Sequence, residues 1–153
     1  MYSVTTQSTA NATATANILT AISISKTLDM NFGNVSVQTA TGGTVILTPA
    51  GIRSATGGVS LPATSGTVTA ATFVVTGEGA YAYTITLPTA AHTISNAANN
   101  MTVTAFLSTP SGGGTLTAGT QTITVGATLN VSAAQVKGTY VSETGFTVTV
   151  NYN

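Results

Sequence analysis

The spacing of apolar residues constrains this chain most. It is two almost everywhere, and no helical period competes with it. The last eight residues show the pattern best: Phe146, Val148, Val150 and Tyr152 fall on one face, and Thr147, Thr149 and Asn151 on the other. A pleated strand sends successive side chains to opposite faces, so such a segment buries one face and wets the other. The abundant Thr and Val suit this backbone, because a branched Cβ fits a pleated surface. Further strands are expected over 18–25, 30–37, 44–48, 67–71, 72–76, 81–87, 101–107, 114–118, 121–125, 128–132 and 138–141. Gly, Pro and Asn clusters separate them, including Gly42-Gly43, Pro49 to Gly51, Ser95 to Asn100 and Gly126. Gly77-Glu78-Gly79 between two alternating runs reads as a hairpin turn, and 132–136 is the one weak helix candidate. Many short strands with regular turn signals give an all-β antiparallel sandwich.

The first stretch differs. Residues 1–16 hold Thr, Ser, Ala and Asn, with few large apolar side chains and no Gly or Pro. They have strand propensity without the apolar face that would anchor them in their own core. Ala10, Ala12, Ala14 and Ala16 share one face, small enough for a narrow groove. The chain therefore divides into an extension, 1–16, and a sandwich domain, 17–153.

Composition narrows the function. Only 4% of the 153 residues are charged, and the net charge is zero, against about 25% charged in an average domain. Such a surface has no basic patch for nucleic acid and little self-repulsion to keep copies apart. The absence of cysteine excludes disulfides, thiolate metal sites and thiol nucleophiles. No apolar run approaches the roughly 20 residues that span a bilayer, so no transmembrane segment is expected. No basic and apolar leader pattern opens the sequence, so a secreted chain is expected in mature form. No cofactor, metal or catalytic constellation is expected. His92 is the single histidine, without cysteine or clustered carboxylates beside it, and reads as a surface or sandwich-edge residue. Asp29 and Glu78 do not read as a glycosidase pair; Asp29 is expected to cap a turn before Phe32-Gly33.

The string Asn17-Ile18-Leu19 through Ala21-Ile22-Ser23-Ile24, then Lys26-Thr27-Leu28-Asp29-Met30-Asn31-Phe32-Gly33, resembles the opening of a family of secreted bacterial domains, domain-of-unknown-function family four-four-zero-two. Gly43-Thr44-Val45, Phe73 to Gly77, Val125 to Val131 and the closing Phe146 to Asn153 continue the resemblance. The organisation is also similar to archaic chaperone–usher pilins, with Phe-Gly after the first strand and a penultimate tyrosine, here Tyr152. That resemblance implies an immunoglobulin-like sandwich lacking one strand, completed by the N-terminal extension of a neighbouring copy. On it, Tyr2, Val4, Thr6, Ala10, Ala12 and Ala14 are the donor-strand residues. Phe146, Val148, Val150 and Tyr152 lie on the C-terminal strand that borders the acceptor groove, with Tyr152 anchoring one end. It further implies a head-to-tail homopolymer, an extracellular pilus- or fimbria-like filament, assembled with a periplasmic chaperone and an outer-membrane usher. The alternative is a monomeric surface adhesin or carbohydrate-binding module, for which Tyr81, Tyr83 and Tyr140 would supply sugar-stacking rings.

Overall fold

A computed structural model describes residues 1–153. The chain is all β, without a helix. Its strands are β1 (Ser23–Leu28), β2 (Ser36–Val37), β3 (Gly43–Leu47), β4 (Arg53–Gly57), β5 (Val59–Ser60), β6 (Ala71–Thr76), β7 (Ala82–Thr86), β8 (His92–Asn96), β9 (Asn99–Thr109), β10 (Gly113–Thr115), β11 (Thr120–Val131) and β12 (Thr149–Tyr152). Every pairing is antiparallel.

β11 is the spine of the larger sheet. Along one edge its first half pairs with β6, Thr120 opposite Thr76, and its second half with β3, Leu129 opposite Val45. β9 runs along the other edge, with a register shift between Gly126 and Thr128. β1 extends the sheet beyond β6, β4 beyond β3, and β8 beyond β9. Gly126 is where β11 changes partner. A Cβ there would collide with the Leu47 carbonyl and lie 2.8 Å from Pro49 N, so only glycine lets the two backbones come this close. The smaller sheet has β7 at its centre, flanked by β10 and β12. β2 and β5 form a separate short ladder.

The alternation expected from the sequence builds the core. Val45, Leu47, Phe73, Val75, Ile123, Val125 and Leu129 point inward from the larger sheet, Tyr83, Ile85 and Val150 are buried from the smaller one, and Val148, just before β12, is buried with them. Each fully buried aliphatic side chain contributes about 1.5–3 kcal/mol of apolar transfer. Tyr83 is 1% exposed, and its hydroxyl donates to Gln121 Oε1, so burying the ring leaves no phenol unpaired.

Several expectations are corrected. Gly77 to Gly79 is not a hairpin: β6 pairs with β1 and β11, while β7 pairs with β10 and β12. The turn is a corner carrying the chain from one sheet to the other. Gly126 does not break its strand, which continues through a bulge. β4 and β8 occupy segments absent from the expected set, and 132–136 forms a turn, not a helix.

Candidate functional site

An open cleft of about 1100 Å³ lies between two stretches of backbone that come from opposite ends of the sequence. The first wall is residues 30–37, which present Met30, Phe32, Val35 and Val37, all half-buried. Segment 58–69 holds this wall. Asn31 exchanges both backbone hydrogen bonds with Thr69 at 2.9 Å, Asn34 N donates to Ser65 O at 2.7 Å, and Gln38 N donates to Gly58 O at 3.0 Å. Arg53 Nη1 donates to the Phe32 and Asn34 carbonyls, each at 2.7 Å, fixing the turn at Gly33. Asn31 Oδ1 accepts from Gly33 N at 2.8 Å, so Asn31 makes the turn contact expected of Asp29. Asp29 instead pairs with Lys26 on the surface at 2.6 Å.

The second wall is residues 135–146. Val141 exchanges hydrogen bonds with Ser95 on β8 at 2.8 and 3.0 Å. These are the only backbone–backbone hydrogen bonds made between Lys137 and Val148. The alternating run that begins at Phe146 thus enters a ladder only at Thr149, where β12 meets β7. The walls meet at one end, where Ala134 N donates to Gln38 O at 3.0 Å. The floor is apolar: Phe73, Ile94, Met101, Val103, Leu129 and Val131.

Phe146 lines the cleft and packs on its floor. Its ring meets Phe106 at 4.9 Å, His92 at 6.0 Å and Phe73 at 6.4 Å between centroids. His92 lies on the edge strand β8, lines the cleft and bonds Ser142 Oγ through Nε2 at 3.0 Å. Of the other residues read as bordering the groove, Val148 and Val150 are buried core residues and lie outside the cleft lining. Tyr152 also lies outside it, hydrogen-bonded to Thr20 O at 2.8 Å and accepting from Glu78 N at 2.6 Å.

Tyr2, Val4, Thr6, Ala10, Ala12 and Ala14 all lie in a segment without a strand, exposed throughout. Tyr2 is 99% exposed and Val4 83%. Thr20 is the first residue to hydrogen-bond the domain, through its N–H to Glu78 Oε2 at 3.0 Å. No charged side chain precedes Lys26. The three rings weighed as a sugar platform are scattered: Tyr83 is buried, Tyr81 packs edge-on against Tyr152 at 6.0 Å, and the Tyr140 hydroxyl is held by Gln135 and Val136.

Sequence reasoning missed Glu78 and Thr20, and took the wall 135–146 for a helical turn and a short strand. A signal for Glu78 was present: it is the only charge between Arg53 and Lys137, set between two glycines. No helix is long and apolar enough to cross a membrane.

No curated protein and no solved structure matches the chain. The family described as Domain of unknown function (DUF4402) matches residues 22–152, which begin where the exposed arm ends and run through both cleft walls to Tyr152. With its whole folded body inside that match, the chain belongs to this family.

Proposed function

We propose that this protein is a structural, non-enzymatic subunit of an extracellular pilus- or fimbria-like filament, in which the N-terminal arm of one copy fills the cleft of the next. One observation carries the reading. An exposed arm without charged side chains stands outside the sandwich, while the sandwich holds a cleft with an apolar floor, whose second wall, residues 135–146, pairs its backbone with a strand only at Val141. An added strand supplies those partners, and its alternate side chains cover the floor. The arm's alanines suit a close fit, and the charges that line the cleft, Lys26, Asp29 and Lys137, meet no like charge on it, because the first 25 residues carry no charged side chain. Arm and cleft are different surfaces, so the contact is head-to-tail and propagates into a fibre. In this reading the sandwich is immunoglobulin-like with one strand missing, as in chaperone–usher pilins, and a periplasmic chaperone and an outer-membrane usher hold and deliver it.

The test is deletion of residues 1–16. The shortened chain should fold, shown by an unchanged far-ultraviolet spectrum, and should not polymerise under conditions in which the full chain makes fibres seen by electron microscopy. Fibres from the shortened chain would rule out strand donation by this arm.

A further inference from the structure

The root of the arm is held in an unusual way. Residues 1–19 make no hydrogen bond to the domain, and Ile18 is 95% exposed. Regular pairing starts at Ser23. Between them Thr20 is gripped from both sides, its N–H by Glu78 Oε2 at 3.0 Å and its carbonyl by the Tyr152 hydroxyl at 2.8 Å. The same hydroxyl accepts from Glu78 N at 2.6 Å, which ties the two gripping residues to each other.

We propose that Glu78 and Tyr152 form a clamp that fixes the direction in which the arm leaves the subunit and, in the filament, the stiffness of the joint between neighbours. The second half rests on the strand-exchange reading above; the first does not. One hydrogen bond would leave the arm free to swing about it. Two bonds on the peptide groups either side of Thr20 lock its backbone torsions, and the bond to a carboxylate is of the stronger, charge-assisted kind. The supports are themselves rigid. The Tyr152 phenol rests against Gly77, where any Cβ would collide with its hydroxyl, and against the edge of Tyr81. Fully extended, the 19 residues before the clamp reach about 60 Å, so a small change of angle at Thr20 moves the tip far. With residues 1–16 seated in a neighbour, only Asn17, Ile18 and Leu19 remain between clamp and neighbour, too few to absorb much bending.

The chain has no cysteine, so a spin-label pair is introduced cleanly at Ala16→Cys and Ser54→Cys in the full-length monomer. The clamp predicts a narrow distance distribution that broadens at least twofold in Glu78→Ala and in Tyr152→Phe. Glu78→Gln, which keeps an acceptor oxygen, should stay close to the original width. An unchanged width in Glu78→Ala and Tyr152→Phe, with folding verified by circular dichroism, overturns the clamp. In filaments the same two variants should still polymerise but with persistence length reduced at least threefold. Unaltered stiffness alongside a broadened monomer distribution overturns the joint role. If the parent chain makes no filaments, the strand-exchange reading and the joint role fall with it, and the monomer widths decide the clamp alone.

Discussion

Replacing Gly77 by alanine tests the packing at the root of the arm. Gly77 has no left-handed φ, so alanine meets no backbone penalty there; the obstacle is space. A Cβ would collide with the Tyr152 hydroxyl and lie 3.0 Å from Leu116 Cδ1 and 3.1 Å from Tyr152 Cζ. The ring must move out, losing its bonds to Glu78 N and Thr20 O. Two neutral hydrogen bonds are together worth about 1–3 kcal/mol, and overpacking adds about 1–3 kcal/mol. Gly77→Ala should therefore destabilise by roughly 2–6 kcal/mol, less a few tenths regained from the stiffer unfolded chain. Tyr152→Phe should lose only the bonds, about 1–3 kcal/mol. In the double variant the bonds are lost once and the nearest obstacle is gone. Its loss should be roughly 2–3 kcal/mol, smaller than the sum of the single losses by at least about 1 kcal/mol. Urea denaturation of the four proteins, read at constant m-value, measures this coupling, and the unfolded-state effect of alanine cancels in the cycle. Additivity within about 0.5 kcal/mol would show that the alanine methyl and the phenol hydroxyl do not compete for the same space.

Three further outcomes follow from the site. The Thr20 N–H bond first, and the Thr20 hydroxyl second, hold the Glu78 carboxyl below the usual glutamate range, against a smaller opposing push from desolvation. A lowered folded pKa means a contribution present above the unfolded value and lost as pH falls through the folded one. Protection of the Thr20 amide, relative to its intrinsic exchange rate, should therefore persist through neutral pH and disappear only in acid below that range; loss of protection near neutrality would disconnect Glu78 from the arm. Phe146→Ala removes a half-buried ring from contacts with Phe73, His92 and Phe106, so monomer stability should fall by about 1.5–3 kcal/mol; a urea-measured loss below about 0.5 kcal/mol would take Phe146 out of the structural account of the cleft. Burial pushes the Tyr83 phenol up. Its stabilising share is whole below the unfolded tyrosine pKa and is lost as pH rises through the folded value, so the absorbance change of tyrosinate, compared with Tyr83→Phe, should show this ring ionising last or only on unfolding.

Much of the fold was legible along the chain because strand faces are a local property. The expected strands over 44–48, 72–76, 81–87 and 121–125 all overlap strands of the fold, and their alternate residues Val45 and Leu47, Phe73 and Val75, Tyr83 and Ile85, and Ile123 and Val125 are buried. Strand partners were not legible. Gly77 to Gly79 carries a hairpin's composition, yet the segments it joins prefer other neighbours, since pairing is settled by which sheet buries Phe73 and which buries Tyr83. Gly126 looked like a stop because an isolated glycine weakens a strand; in place it is the only residue that fits against the Leu47 carbonyl.

An all-β chain, a leading segment without an apolar face of its own and a scarcity of charge are legible from the residues alone, because these depend on side-chain type and a period of two. That residues 30–37 and 135–146, a hundred positions apart, stand as the two walls of one cleft with an apolar floor emerges from the folded molecule alone. So does the position of Tyr152, which bonds Thr20 at the root of the arm and lies outside that cleft. Both depend on contacts across long sequence separations, and no local pattern records those.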